Sequence, residues 1–346
     1  MKRIGNLYHL IYDIENIKLA HENAKKGKAH YKEVKLVDSD VDYYCNLIHE
    51  MLVNRTFVNS PYEVFTKADK GKEREIYKLP YFPDRIVHHA ILQILEPIWK
   101  KTFINNTYQS IKGRGVHRAK RDLDKVIASY NGDVYYLQTD VSKFYPSVDN
   151  NIMMQLVSKK IKCKGTLWLL GVVIHSTKGL PIGNYLSQYL GNLYLTYLDH
   201  YIKEVMMVKH YYRYCDDIVV ISTDIAQLHS IHLTIKSLLL QELKLSLKDS
   251  SKITHISNGL DFLGFVFLGT HVRLRKSIAE GFKASTDKFI RSKNVQDFTS
   301  AISYNGWVKA SNSFNLWNSC INGKFTLLAL ELGVNNKLLR GSRYES

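Results

Sequence analysis

The chain has 346 residues, of which 45% are apolar and 23% charged, a globular composition with room for two or three subdomains. Lysine and arginine number 48 against 32 acidic residues, and the net charge of +16 indicates a polyanionic partner, either nucleic acid or an anionic membrane surface. The longest apolar run, residues 167–174, is too short to span a membrane, and Asp13 and Glu15 interrupt the apolar stretch at the N-terminus, so neither a membrane span nor a secretory signal is predicted. The four cysteines are scattered, which argues against a disulfide framework or a zinc site. The sequence therefore predicts a cytoplasmic protein.

The first 60 residues are predicted to be mainly helical. Apolar side chains recur at helical spacing from Val41 to Leu52. A basic patch, NAKKGKAHYKEVK at 23–35, precedes this helix. The patch is either a solvated face or a contact for phosphate groups.

Residues 61–82 predict two strands around a turn rich in lysine and glycine. The following segment predicts a buried helix with a broad apolar face, for which Asp84 is the expected N-cap. His88 and His89 lie on this helix. We interpret them as satisfied core or surface histidines rather than as metal ligands.

The middle of the chain alternates strands with helices. The segments in order are a strand at 134–142, a helical segment at 185–205, a hairpin at 211–222, a helix at about 225–242 and a strand pair at 260–269. The last 75 residues or so are predicted to be mostly helical. This order predicts an α+β fold in which helices cover one face of a sheet.

Two adjacent carboxylates, Asp216 and Asp217, lie at the tip of the predicted hairpin, between aromatic and β-branched arms. Asp140 ends another predicted strand, and carboxylates at the ends of neighbouring strands can converge on one point. Clustered carboxylates in a basic protein suit Mg²⁺, and two such ions roughly 4 Å apart stabilise the attacking and leaving oxygens of a phosphoryl transfer. From the hairpin alone, a solvated or helix-capping aspartate pair is the alternative.

These segments resemble the motifs of reverse transcriptases. Tyr214-Cys215-Asp216-Asp217 resembles the catalytic hairpin, and DVSKFYPSVD at 140–149 resembles the first metal-binding motif. GLPIGNYLSQYLGNLYL at 179–195 resembles the loop and helix that support the template and the incoming nucleotide. These motifs occur in the order that the family shows.

Further segments extend the resemblance over roughly residues 60–320. LKLSLKDSSKI and LDFLGF resemble the segments after the hairpin, the second being the primer grip, and KGKEREIYKLPYFPDRIVHHAILQILEPIW and YQSIKGRGVHRA resemble fingers segments of bacterial retroelement enzymes. The resemblance implies a right-hand polymerase. It implies an N-terminal extension with fingers at 1–133 and a helical thumb at 269–346. Between them it implies a palm at 134–268, in which helices back an antiparallel sheet. The palm includes a fingers–palm loop at 176–188.

The resemblance also implies an activity and its site. It implies an RNA-directed DNA polymerase that uses two Mg²⁺ ions, with Mn²⁺ as a substitute, together with dNTPs, an RNA template and a primer. The implied catalytic residues are Asp140, Asp216 and Asp217, and Val141 adds a backbone carbonyl as a metal ligand. The implied nucleotide-binding residues are Lys72, Arg74, Tyr145, Ile182, Gly183, Gln188 and Lys252. The implied nucleic-acid-binding residues are Gly113, Arg114, Gly115, Gly264 and Phe265.

Some of these roles have plainer alternatives. Tyr145 stands at the steric-gate position, where a bulky ring would clash with a 2′-OH, but it could also be a core tyrosine. Lys72 and Arg74 would clamp the triphosphate, or would lie on a solvated hairpin tip. Either Lys248 or Lys252 would donate a proton to pyrophosphate, and the sequence does not choose between them.

One departure from the common reverse transcriptase pattern points to a subclass. Many family members carry Gln-Gly in the nucleotide-supporting loop, whereas this chain has Ile182-Gly183, followed after three residues by Ser187-Gln188. This pattern resembles reverse transcriptases of diversity-generating retroelements and implies error-prone copying opposite template adenines. The implied partners are a template-repeat or other non-coding RNA and a small basic accessory protein or other subunits, without a membrane.

Three alternatives stay open at this point. A similar palm occurs in antiphage-defence reverse transcriptases, which make DNA as an immune effector. A non-catalytic nucleic-acid-binding module with a decayed palm is a second alternative, although the three aspartates are all present. A basic protein of membrane surfaces is a third, for which no amphipathic anchor is evident.

Overall fold

The structure is a computed structural model that describes residues 3–69, 72–321, 325, 326 and 328. The α-helices in these ranges are α1 (Tyr8–Tyr12), α2 (Ile14–Ala24), α3 (Lys32–Asp38), α4 (Val41–Val53), α5 (Ile86–Lys100), α6 (Val116–Ala128), α7 (Phe144–Ser147), α8 (Asn150–Ser158), α9 (Lys164–Ile174), α10 (Ser187–His200), α11 (Ile225–Leu243), α12 (Lys276–Ser292), α13 (Val295–Ile302), α14 (Asn305–Lys309) and α15 (Phe314–Cys320). The strands are β1 (Glu63–Asp69), β2 (Lys72–Lys78), β3 (Tyr135–Asp140), β4 (Tyr211–Tyr214), β5 (Asp217–Ser222), β6 (Lys252–His255), β7 (Leu260–Phe262), β8 (Phe265–Phe267) and β9 (Val272–Leu274). None of the described helices is both long and apolar enough to cross a membrane.

The strands form three sheets. β1 and β2 make an antiparallel hairpin, the four-stranded sheet has the order β4-β5-β3-β6, and the third sheet has the order β7-β8-β9. β3 and β6 are antiparallel, with Tyr135 opposite His255 and Gln138 opposite Lys252. The predicted mixture of helices and antiparallel strands is therefore confirmed.

The chain divides into two compact units, each made of separate stretches of sequence. The first unit comprises residues 1–112, 139–218 and 230–251. The second comprises residues 113–138, 219–229 and 252–346. The boundaries predicted for fingers, palm and thumb stay a prediction.

Helices at the start of the first unit have side-chain caps and one apolar face. Asp13 caps α2 by accepting hydrogen bonds from the backbone N–H groups of Glu15 and Asn16. The buried residues of α2 recur at helical spacing, and α2 packs against α4 and α5 through this face. These contacts fix the position of the turn at residues 25–30, which follows α2 and carries part of the basic patch.

The prediction that Asp84 is the N-cap of α5 is wrong. Asp84 lies in an irregular turn at Tyr81–Arg85, just before the helix, and is fully buried. Its Oδ1 accepts a hydrogen bond from the backbone N–H of Ser60 at 2.9 Å instead of capping α5. A tertiary contact with a distant loop has replaced the local cap.

Aromatic side chains form the core of the second unit beside its three-stranded sheet. Phe282 of α12 stacks on Trp317 of α15 with ring centroids 5.8 Å apart, and Phe289 meets Phe298 of α13 at 5.4 Å. The mostly helical prediction for this part of the chain is confirmed for the described residues. The short strand β9 was not predicted, since three residues carry too little alternation to indicate a strand.

Candidate active site

The hairpin turn between β4 and β5 is held in a strained conformation. Cys215 has φ of 58°, in the left-handed region that non-glycine residues rarely adopt. Its carbonyl accepts a hydrogen bond from Arg213 at 2.7 Å, and its thiol lies 3.5 Å from the hydroxyl of Tyr145. Such strain persists where the surroundings fix it, and it is common at functional sites.

Asp140 and Asp216 lie side by side in the first unit. The backbone N–H of Val141 donates to the carbonyl of Asp216 at 3.3 Å, which joins the end of β3 to the turn. The two carboxyl groups are within hydrogen-bonding reach of each other. Burial raises the pKa of Asp140 above its ordinary value, and the Asp216 carboxylate raises it further, against the lowering effect of Lys248.

The backbone pairing around Asp140 orients the carbonyl of Val141 towards the side on which Asp216 lies. Val141 pairs with Leu247 in an antiparallel bridge. The hydrogen bonds of this bridge are made by the residues on either side: the N–H of Ser142 donates to the carbonyl of Ser246, and the N–H of Lys248 donates to the carbonyl of Asp140. The N–H and C=O of one strand residue point to the same side. The Val141 carbonyl therefore faces the Asp216 side, like its N–H.

The donor set suits a hard divalent cation. Oδ1 of Asp140 is buried and accepts no hydrogen bond from the residues that the structure describes, and its Oδ2 contacts the ammonium group of Lys248. Carboxylate and carbonyl oxygens are the ligands that Mg²⁺ prefers, completed by water and phosphate. No group of three His, Cys, Asp or Glu side chains in the described ranges is placed to hold a metal. The two facing carboxylates, with the Val141 carbonyl, are thus the donors that this arrangement offers, and Asp217 follows them as the first residue of β5.

A buried ion pair lies beneath the turn. The guanidinium group of Arg213 donates to both carboxylate oxygens of Asp199, at 2.7 and 2.5 Å, and both side chains are fully buried. Asp199 also accepts from the hydroxyl of Tyr211 at 2.8 Å. Because Arg213 also donates to the Cys215 carbonyl, this network connects α10 to the conformation of the turn.

Most of the predicted nucleotide-binding residues line one cavity of about 310 Å³ in the first unit. The predicted residues in its lining are Arg74, Tyr145, Ile182, Gly183 and Gln188. Lys28, Arg85 and His89 also line it, and sequence reasoning had not assigned them to a nucleotide site. The side chain of Lys72 lies outside the described residues.

The loop that carries Ile182 is fixed against the hairpin of β1 and β2. The N–H of Tyr77 in β2 donates to the carbonyl of Ile182 at 2.8 Å. Gly183 has φ of 110°, and a Cβ there would lie 2.9 Å from the carbonyl oxygen of Tyr77. Only glycine allows this close approach, which holds the Ile182 side chain at the cavity.

His89 faces the cavity as a neutral ring. It stacks on Tyr185 with ring centroids 4.1 Å apart and an angle of 6° between the planes. Burial, together with the positive charges of Arg85, Lys28 and Lys26, lowers its pKa to about 4. His88, on the buried side of α5, has its pKa lowered by burial to about 3.

Two lysines considered as proton donors have different surroundings. Lys248 is the one whose ammonium group contacts Asp140. Lys252 belongs to β6 in the second unit, where its Nζ lies 5.4 Å from the ring centroid of Tyr136. Its role at a nucleotide stays a prediction.

The residues predicted to bind nucleic acid are in the second unit. Gly113, Arg114 and Gly115 directly precede α6. Gly264 lies in the β7–β8 turn with φ of 85°, where a Cβ would come within 2.6 Å of Trp307. Phe265 is fully buried, with its ring centroid 5.3 Å from that of Trp307. The last two residues thus contribute to packing, and their support of a primer stays a prediction.

Sequence reasoning missed the ion pair, and it included Lys28 only as part of the basic patch at 23–35. Arg213 could have been found, because a charged residue in the apolar strand YYRY needs a buried counter-charge. Nothing in the sequence signals that Asp199 provides it or that Lys28 meets Arg85. These contacts arise only from the tertiary fold.

Comparison with known proteins agrees with the geometry. The sequence profile of the family described as reverse transcriptase (RNA-dependent DNA polymerase) matches residues 65–267, more than half of the chain. Protein YkfC of Escherichia coli K12 is 27% identical over 248 residues, which cover 58% of this chain and 65% of YkfC. The group II intron-encoded protein LtrA of Lactococcus lactis is 24% identical over 172 residues, covering 46% of this chain and 28% of LtrA. The chain thus spans less than two thirds of the length of these relatives.

Solved structures show the same fold at low sequence identity. Telomerase from Candida albicans, in a complex with a fragment of telomeric RNA, has a TM-score of 0.50 at 10% identity, over 87% of this chain and 65% of that one. Apo telomerase from Candida tropicalis has a TM-score of 0.51 at 13% identity, over 84% of this chain and 60% of that one. The right-hand polymerase fold is confirmed by these likenesses. By its family profile and its fold, the chain belongs to the reverse transcriptase family.

Proposed function

We propose that the chain is an RNA-directed DNA polymerase that extends a primer by two-metal nucleotidyl transfer. The observation that carries the proposal is the backbone hydrogen bond from the N–H of Val141 to the carbonyl of Asp216. This bond holds the carboxylates of Asp140 and Asp216 side by side. The same unit contains a cavity lined by cations and by the predicted gate residue Tyr145. A paired carboxylate site next to a cationic cavity suits an anionic nucleotide substrate.

In this proposal Asp140, Asp216 and the Val141 carbonyl would hold two Mg²⁺ ions, with Mn²⁺ as a substitute, and Asp217 would support them. When bound, the ions supply charge stabilisation at the attacking and leaving oxygens. The 3′-OH of the primer forms a bond to the α-phosphorus of a dNTP, and the bond to pyrophosphate breaks. The hydroxyl proton passes to solvent water, and the leaving pyrophosphate takes a proton, for which Lys252 and Lys248 are the candidate donors.

The protein's own residues position and select the nucleotide. Arg74 lines the cavity, and its planar fork is suited to phosphate oxygens. Tyr145 lines the same cavity, and its hydroxyl lies 3.5 Å from the thiol of Cys215 in the turn. A ring fixed beside the carboxylates would exclude a ribose 2′-OH and so favour deoxynucleotides.

We further propose that synthesis is error-prone and serves a diversity-generating retroelement. The support is Ile182, whose aliphatic side chain takes the place of a glutamine amide at the cavity. The partners would be a template-repeat RNA and a small basic accessory protein. The alternative role is antiphage defence with DNA as an immune effector, and the genes beside this one distinguish the two roles.

Primer extension by the full chain tests the activity. With a primed RNA template, Mg²⁺ and dNTPs, we expect DNA synthesis that Asp140→Asn or Asp216→Asn lowers by about a hundredfold or more, because metal stabilisation contributes several kcal/mol. Asp224→Asn is the matched control, since Asp224 caps the first turn of α11 and Asn can do the same. Full synthesis by Asp216→Asn, or binding of the primed template without any synthesis, would favour the non-catalytic alternative.

A further inference from the structure

Two cavities of the first unit share the side chains of Lys28 and Arg85. The inner one is the cavity of about 310 Å³ that Tyr145 and Ile182 line. The outer one, of about 550 Å³, is lined by Lys28, Tyr31, Lys32, Glu33, Lys78, Leu79, Tyr81 and Arg85. Lys28 and Arg85 line both and therefore stand at the boundary between them.

These two cations have no counter-charge of their own. Neither side chain makes a hydrogen bond or an ion pair with any described residue. Among the described residues that line the two cavities, Glu33 is the only carboxylate, and its Oε2 accepts the backbone N–H of Tyr81 at 2.6 Å. Lys78 of the outer cavity is paired with Glu63 at 2.9 Å. The lining of the two cavities thus carries a net positive charge, with Glu33 as the single carboxylate among the described lining residues.

The surroundings of Lys28 add to this imbalance. Burial lowers the pKa of its ammonium group, and the guanidinium group of Arg85 lowers it further. Two cations that repel each other in a half-buried place are unfavourable unless a ligand neutralises them. An anion with several oxygens could accept hydrogen bonds from both at once.

We propose that Lys28 and Arg85 form a polyphosphate-binding site for the terminal phosphates of the incoming nucleotide and for the released pyrophosphate. This inference rests on the proposed function and extends it to the N-terminal segment. The inner cavity contributes Arg74, and the outer cavity adds Lys32 and Lys78, so positive charge continues from the predicted gate residue outward. The phosphate tail lies along this line of charge, and pyrophosphate leaves through the outer cavity.

Calorimetric binding of inorganic triphosphate to the full chain tests the site without requiring synthesis. We expect Lys28→Ala and Arg85→Ala each to weaken binding about tenfold, the effect of losing one charge-assisted hydrogen bond. Lys28→Arg keeps the charge and should restore affinity. Lys35→Ala is the matched control, because Lys35 is exposed on α3 and lines neither cavity. Far-ultraviolet circular dichroism of each variant shows whether the fold is retained.

Primer-extension kinetics provide the second measurement. Lys28→Ala should raise the KM for dNTPs and weaken inhibition by added pyrophosphate. Triphosphate affinities equal to the wild type in both alanine variants, or no triphosphate binding by the wild type, would overturn the inference. If triphosphate binding depends on Lys28 but the wild type makes no DNA, the polymerase proposal fails while the anion site stands.

Discussion

Ile182 shows how one side chain can set the accuracy of the proposed reaction. Its carbonyl is fixed by Tyr77, so the aliphatic side chain stays at the cavity and offers no hydrogen bond there. A glutamine amide at this position could bond to a nucleotide or base and penalise misplaced pairs. Because such a bond contributes about 1 kcal/mol, Ile182→Gln should lower misincorporation opposite template adenines roughly three- to tenfold.

Sequencing of the cDNA made on a defined RNA template measures this change. Ile182→Leu, which preserves the aliphatic character, is the control and should keep the wild-type error rate. Equal error rates at adenines for Ile182→Gln and the wild type would contradict a role for Ile182 in accuracy.

At the level of elements, the buried ion pair couples α10 to the catalytic turn. Asp199→Asn removes one charge and leaves Arg213 buried without its counter-charge, which costs roughly 3–5 kcal/mol of unfolding free energy. The exposed pair Lys276–Glu280 is the control, because Glu280→Gln on a surface helix should cost about 1 kcal/mol or less. Urea denaturation measures both changes, and equal effects would contradict the assigned burial of the ion pair.

The double variant Asp199→Leu with Arg213→Met separates stability from positioning. Replacing a buried pair by apolar residues of similar size is often neutral for stability. The Cys215 carbonyl would nevertheless lose the donor that holds its turn. A stable double variant with reduced synthesis supports a positioning role, whereas full synthesis contradicts it.

The elements were more predictable than their contacts. Strong periodicity gave the long helices, and alternating aromatic and β-branched residues gave the hairpin, because both signals are local. The pairing of Asp140 with Asp216 was anticipated because both lie at the ends of predicted strands, and the order of the motifs supported it. Asp84 misled the prediction because its carboxylate bonds to Ser60, and Lys28 meets Arg85 only in the folded chain.

At the scale of the whole molecule, the two histidines of α5 make stability depend on pH. Both have folded pKa values far below the ordinary 6.5, at about 3 for His88 and about 4 for His89. Below pH 6.5 the unfolded chain binds protons at these positions while the folded chain does not. The contribution of these two histidines to the free energy of unfolding should therefore be greatest above pH 6.5. It should fall progressively as the pH drops towards 4.

Urea denaturation at neutral and mildly acidic pH measures this dependence. His88→Gln should reduce the loss of stability between pH 7 and about pH 5, whatever its effect at neutral pH. His9→Gln is the control, since His9 is exposed near the start of the chain. An unchanged slope in His88→Gln would contradict a buried neutral imidazole.

The first unit is discontinuous, and this has a consequence for synthesis on the ribosome. Its carboxylate centre needs the segment around Ser246 and Lys248, which bonds to both sides of Val141. Two stretches of the other unit, residues 113–138 and 219–229, are translated before that segment. A nascent chain that has not reached residue 248 would expose the backbone edge beside Asp140, so this centre can close only after both of those stretches of the other unit have been made.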